Sequence, residues 1–232
     1  MHVEAATMCQ DWCDWAFVEP YLVAAVADGA GSATRSALGA ELACETALET
    51  VSIQLAGSSP NPAEAVSSAM HTARDRLLAE ALSSGEPESA YACTLLVAAA
   101  GPEGLFVNHV GDGCCVVEHE SGVLETLSEP VNGEYINVTA FITDSDAMDH
   151  VAVGAVTAVI NGWALLTDGL YDMAVDRRQH TPHAGFFRPI LDAVTRNPSD
   201  FSPQLAQWLR SERVAARTSD DVTLFVAARC SE

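Results

Sequence analysis

Lysine is absent from this 232-residue chain; its eleven basic side chains are all arginine and face 32 acidic ones, for a formal charge of −21. Clustered positive charge is what holds nucleic acid or an anionic membrane, so the imbalance argues against both as partners. Long apolar runs are missing too: none reaches the roughly 18 residues that a spanning helix needs. Met1 to Glu19 carries Glu4, Asp11 and Asp14 where a secretory leader has basic and then apolar residues. The expectation is a cytoplasmic protein. Cysteines number seven, an odd count without framework spacing, and most lie inside apolar runs, as buried reduced thiols do. Cys9 and Cys13 have no second pair at zinc-site spacing. His180 and His183 lie in a polar stretch that reads as a solvated loop. With no repeat, low-complexity tract or linker, residues 1–232 read as one domain.

What is present is a core. Hydrophobic residues make up 49% of the chain, so the acidic excess is not that of a disordered tail. It fits solubility, a cationic protein partner, or carboxylates gathered around metal ions. Tyr21 to Ala27 is a short apolar run, a buried strand by length. Ala37, Ala40, Cys44, Leu48, Val51 and Leu55 then recur at helical spacing, and Val66, Met70, Ala73, Leu77 and Ala81 do so again after the Asn61-Pro62 start signal. From Tyr91 the period changes. Short turns at residues 101–104, 112–113 and 120–122 separate strands and predict an antiparallel meander, since such turns cannot make parallel crossovers. Further strands are expected near Tyr135–Thr143, Val151–Ile160 and Trp163–Thr167. A helix follows around Ala184–Thr195, then a second with Ser202 as cap and Pro203 at its first position, then a closing strand Val222–Ala228. The order is α+β, with helices covering the outer faces of antiparallel sheets as the economical packing.

The aspartates fall at strand ends. Asp28 ends the first apolar strand, Asp112 follows Leu-Phe-Val-Asn-His-Val, Asp168 ends Trp-Ala-Leu-Leu-Thr, and Asp220 opens the last strand. Packed sheets can bring such ends to one rim. Clustered carboxylates repel and take up protons unless a hard cation neutralises them, and oxygen-only ligation suits Mg²⁺, Mn²⁺ or Ca²⁺. Each aspartate also has a plainer reading. Asp112-Gly113 is a hairpin dipeptide with a strand on both sides. Asp28 and Asp168 suit caps of the segments that follow them, and Asp220-Asp221 suits a solvated turn.

Several segments in order, Cys9-Gln-Asp11, Val26-Ala-Asp28-Gly-Ala-Gly31, Ala92-Cys-Thr94-Leu-Leu, Val110-Gly-Asp112-Gly, Leu165-Leu-Thr-Asp168-Gly-Leu and Ser219-Asp220-Asp221-Val-Thr223, resemble the metal-dependent protein phosphatases of the 2C type. Gly133-Glu-Tyr135 and Phe141-Ile-Thr-Asp144 are similar to the compact bacterial branch. The resemblance implies a four-layer α-β-β-α sandwich, two antiparallel sheets packed face to face with helices outside. It implies that Asp28 bridges two Mn²⁺ or Mg²⁺ ions, that the Gly29 carbonyl binds one of them, and that Asp168 and Asp220 hold the other. Asp11 would act through water, and Asp112 would help hold a third, weaker ion. The implied reaction is hydrolysis of phosphoserine or phosphothreonine in a phosphoprotein. Two ions about 3.5–4 Å apart lower the pKa of a bridging water to near neutrality, and the resulting hydroxide attacks phosphorus in line with the leaving oxygen. No cysteine sits in a Cys-x₅-Arg cradle, which argues against a tyrosine-phosphatase type. Thr94 is expected to be a packing position.

There are departures from the pattern. Ala6 stands where many relatives carry a phosphate-holding arginine, and Arg35 is the nearest replacement by sequence. Ala30 replaces the histidine of eukaryotic relatives, Asp221 replaces an asparagine, and the flap is short or missing. They motivate an alternative: a catalytically weak or inactive domain that binds phosphoprotein or serves as a regulatory partner.

Overall fold

In a computed structural model, which describes residues 9–128 and 139–229, β1 (Trp12–Val18) pairs antiparallel with β2 (Tyr21–Ala27). Two long helices follow, α1 (Ser36–Leu55) and α2 (Pro62–Ser84), then β3 (Leu95–Gly101), β4 (Gly104–Val110), β5 (Cys114–His119) and β6 (Leu124–Ser128). After residue 139 come β7 (Ala152–Val156), β8 (Ile160–Leu166), α3 (Tyr171–Ala174), β9 (Val175–Asp176), β10 (Thr181–Pro182), α4 (Ala184–Arg196), α5 (Pro198–Leu209), α6 (Glu212–Ala215) and β11 (Leu224–Ala228). One sheet has the order β1-β2-β3-β4-β7, a second has β11-β8-β5-β6, and β9 and β10 form a small ribbon.

Three apolar interfaces define four layers. Val51, Met70 and Leu77 of the long helices meet Val23, Ala25 and Val97 of the first sheet. Ala24, Val26, Leu96 and Val107 on that sheet's other face meet Val117, Leu165 and Phe225 of the second. The second sheet's far face carries Leu166, Val116 and Leu224 against Phe187, Leu191 and Val214. β2 therefore faces apolar neighbours on both sides, which is why its sequence is continuously hydrophobic rather than alternating. The α2 start is fixed by the Asn61 side chain, which accepts the Glu64 N–H at 3.3 Å, with Pro62 next. Gly85, at φ 72°, ends it in the left-handed region.

The expected meander is interrupted. β3 pairs with β4 and β5 with β6, but β4 and β5 belong to different sheets. Gly111-Asp112-Gly113 is thus a crossover between sheets and not a hairpin. Gly111 takes φ 125°, and a Cβ there would run into the Thr94 side chain, so glycine is required twice over. Of the strand expected near Tyr135–Thr143, residues 139–143 form no strand, and Gly133–Tyr135 lies outside the described residues, as does Ala6. Ile142 of that segment is fully buried among the first-sheet core residues, which accounts for its apolar sequence. Val151–Ile160 is not one strand: it holds all of β7, a turn, and the first residue of β8. The fifth helix begins at Pro198 and carries Pro203 inside it, so Ser202 is not its cap. Cys44, Cys93, Cys114 and Cys115 are buried, whereas Cys9 and Cys13 are exposed. No helix among the described residues is long and apolar enough to cross a membrane.

Candidate metal centre

The antiparallel order puts the ends of β2, β4 and β8 and the starts of β1, β3, β5 and β11 at one rim of the sandwich. Asp28, Asp112 and Asp168 follow three of those strand ends, and each offers a carboxylate oxygen within 4.8 Å of the other two. Three acids separated by more than fifty residues at each step are therefore neighbours.

Hydrogen bonds hold them there. The Asp28 backbone N–H donates to Thr94 Oγ1 at 2.9 Å, and the Thr94 N–H returns a bond to the Asp28 carbonyl at 2.8 Å. Thr94 is buried, as a packing position would be, but it lies just before β3 rather than in a strand, and its hydroxyl also fixes the backbone of the central aspartate. Thr139 donates its hydroxyl to Asp112 Oδ2 at 2.6 Å. Thr167, one residue before Asp168, donates to Asp11 Oδ2 at 2.9 Å and accepts the Thr223 N–H at 3.1 Å. Gln10 joins two further segments: its N–H donates to Asp221 Oδ2 at 2.7 Å, and its carbonyl accepts the Gly29 N–H at 3.2 Å. The threonine hydroxyls had no assigned role in the sequence reading. Their only signal is position, a hydroxyl residue next to, or paired with, an Asp-Gly dipeptide.

The remaining candidates sit differently. Asp11 is buried behind the three acids and within hydrogen-bonding reach of Asp28. Asp220 is exposed and outside the triad, although its charge acts on Asp168, and its Oδ1 accepts the Asp221 N–H at 3.0 Å. Arg35 does not present an open guanidinium for a phosphate: it bonds Glu86 at 3.0 Å and the Tyr91 hydroxyl at 3.2 Å.

The electrostatics are those of a site built for positive charge. Burial, then the charges of Asp11, Asp168 and Asp112, push the Asp28 carboxyl up to about 9. Burial, then Asp112, Asp220 and Asp11, raise Asp168 to about 6. Asp11 is also raised, chiefly by burial. Among the described residues, Oδ1 of Asp11, Asp112 and Asp168 is buried without any hydrogen-bond partner. Orphaned carboxylate oxygens carry a large desolvation cost unless something neutralises them. An all-oxygen donor set with free, converging lone pairs fits hard divalent cations.

A rim of carboxylates at the mouth of a two-sheet sandwich is the arrangement of a metal-dependent hydrolase. This chain belongs to the protein phosphatase 2C family, whose sequence profile matches residues 1–210. It is 35% identical to serine/threonine-protein phosphatase 3 of Escherichia coli (strain K12), over 97% of this chain and 93% of that protein. Solved structures share the fold at low identity. The catalytic domain of the serine/threonine protein phosphatase PstP, in complex with two manganese ions, superposes with a TM-score of 0.69 at 15% identity, covering 97% of this chain and 93% of that one. The serine/threonine phosphatase Stp1 of Staphylococcus aureus gives 0.66 at 15% identity, over 97% of this chain and 91% of that one.

Proposed function

We propose that residues 1–232 act as one catalytic domain, a metal-dependent phosphatase that removes phosphate from serine and threonine side chains of a cytoplasmic phosphoprotein. The observation that carries this reading is the convergence of Asp28, Asp112 and Asp168 within 4.8 Å, with buried oxygens left unpartnered. Asp28 and the Gly29 carbonyl would hold one cation, and Asp28, Asp168 and Asp220 a second; Asp112 would help hold a third, with Asp11 behind them. Mn²⁺ and Mg²⁺ both suit these ligands. Bound there, the cations would supply an activated water and neutralise charge on the phosphoryl oxygens.

The chain's own residues do the rest. Thr94 and Thr139 hold Asp28 and Asp112 by backbone and side chain respectively, so the ligand oxygens converge before any cation arrives. Thr167 donates its proton to Asp11 Oδ2, and Asp11 Oδ1 is left without a hydrogen-bond partner. A charge of −21 disfavours nucleic acid and an anionic membrane, and favours a phosphoprotein whose surface around the phosphate is basic.

The test is hydrolysis of p-nitrophenyl phosphate and of a phosphothreonine peptide with millimolar Mn²⁺ or Mg²⁺. Turnover of both, lost on chelation and in an Asp28→Asn variant, is expected. A wild-type rate no higher than that of Asp28→Asn would overturn the reading.

A further inference from the structure

Away from the carboxylate rim, α4, α5 and α6 surround a cavity of about 520 Å³. Its walls are apolar, with Phe186 and Ile190 on one side and Leu205 and Trp208 on the other. The Phe186 and Trp208 rings meet edge to face at 5.7 Å. α5 buries none of its described residues completely; Leu205 and Trp208 pack on one side against the core around Phe187 and Leu191 and on the other line the cavity, which leaves them only half covered. A volume in the range of about 300–1,000 Å³ with apolar walls and few polar groups is that of a small-ligand site.

Beside the polar Gln204 and His183, the charged groups at this cavity are of one sign. Arg213, on α6, and Arg217, in the turn that follows it and tied back by its N–H to the Val214 carbonyl at 2.8 Å, both line it. Arg35, Arg76, Arg177 and Arg196 each pair with a carboxylate. Among the described residues neither Arg213 nor Arg217 does. In a chain of charge −21, two arginines without acidic partners beside an apolar chamber are complementary to an anion that carries a hydrocarbon tail.

We propose that this cavity binds a small amphipathic anion, an unbranched alkyl carboxylate, with its tail against Phe186, Leu205 and Trp208 and its head group on Arg213 and Arg217. The same site touches the metal rim through the backbone. Met173, in the wall, belongs to the helix that continues from Asp168, and Arg217 precedes Thr218, whose hydroxyl accepts the Asp220 N–H at 3.1 Å. Filling the cavity orders both segments, so occupancy raises divalent-cation affinity. That coupling rests on the phosphatase reading; the carboxylate site does not.

The experiment is titration of the whole protein with decanoate, with 1-decanol and decylammonium as controls, read by calorimetry and by Trp208 fluorescence against a Trp208→Phe variant. Saturable binding of one decanoate is expected, at least about tenfold tighter than decanol, with decylammonium weaker still. The double variant Arg213→Ala/Arg217→Ala should lose that preference, and Ala193→Trp should fill the cavity and abolish binding while the melting temperature holds. No saturable binding, several equivalent decanoates per chain, equal binding by the arginine variant, or a preference for decylammonium would overturn the site. So would concentration-dependent dimerisation abolished by Ala193→Trp, which would assign the cavity to a second copy. A Mn²⁺ titration with and without saturating decanoate separates the two claims. Several-fold tighter Mn²⁺ binding supports the coupling, and unchanged affinity overturns it alone. Absence of Mn²⁺ binding in both cases overturns the metal-centre reading while leaving the carboxylate site standing.

Discussion

Thr167 donates its hydroxyl to Asp11 Oδ2 at 2.9 Å, although 156 positions separate the two residues along the chain. The Thr167 hydroxyl oxygen in turn accepts the Thr223 N–H at 3.1 Å. One buried hydroxyl therefore ties the start of β1 and the approach to β11 to the residue next to Asp168. Thr167→Val keeps the shape and removes both bonds. We expect metal affinity to fall about 10- to 100-fold, as for loss of an outer-shell partner. Stability should fall by about 1–3 kcal/mol, because the buried Asp11 Oδ2 and the half-buried Thr223 N–H both lose the Thr167 hydroxyl. Thr167→Ser should restore both. The measurements are Mn²⁺ titration and urea denaturation, and an unaltered Mn²⁺ affinity in the valine variant would remove Thr167 from the site.

Gly169 tests how tightly the two metal-bearing segments approach. A Cβ added there would collide with the Asp221 carbonyl oxygen and press on Val222. Gly169→Ala must push the Asp220–Asp221 segment away from Asp168. The expected cost is about 1–3 kcal/mol of stability, as for other forced overpacking, with phosphatase activity down at least tenfold and KM for Mn²⁺ raised. A variant with wild-type KM for Mn²⁺ would show that Asp220 is not needed at its present distance.

The helical stripes of α1 and α2, the closely matched strand Tyr21–Ala27 and the strand-end aspartates were legible because burial on a face or at a terminus leaves a pattern in hydrophobicity. What escaped has physical reasons. β1 is an edge strand whose Trp15 and Phe17 are 59% and 63% exposed, so it shows no inward and outward alternation. The change of sheet at Gly111–Gly113 looks like a hairpin locally, since only the pairing partners of β4 and β5 distinguish the two. Asp28, Asp112 and Asp168 were found as strand-end acids, but the threonines that hold them bond across tens of residues, and no local spacing encodes that.

Arg35 makes a contrast. With its guanidinium on Glu86 and Tyr91, and both ion-pair partners more than a third exposed, it acts as an ordinary tether of α1 to the turn before β3. Arg35→Ala should change KM for a phosphothreonine peptide by less than about threefold and leave the melting temperature nearly unchanged, as exposed pairs do. A KM raised tenfold or more with kcat unchanged would instead return Arg35 to the substrate.

The raised carboxyls set the response to pH and to metal. Asp28 is held near 9 and Asp168 near 6 in the folded chain, against an ordinary 3.8. A folded-state value above the unfolded one gives stability that is complete below about pH 4 and is lost as pH rises through the folded values. Without divalent cations the protein should therefore lose stability steadily from pH 4 to 9. Cations reverse the balance at the high end, because they bind the ionised carboxylates and release their protons. The gap in melting temperature between Mn²⁺-loaded and chelator-treated protein should widen between about pH 5.5 and 8.5. General repulsion in so acidic a chain also grows with pH, so a variant separates the causes. Asp28→Asn in chelator should differ least from wild type near pH 4 and exceed it by a margin that grows from pH 5.5 to 8.5, since the amide removes the ionisation that burial opposes. A gap that narrows with pH, or an Asp28→Asn protein less stable than wild type at pH 8.5 in chelator, would mean that the rim does not hold its acids protonated in wait for a cation.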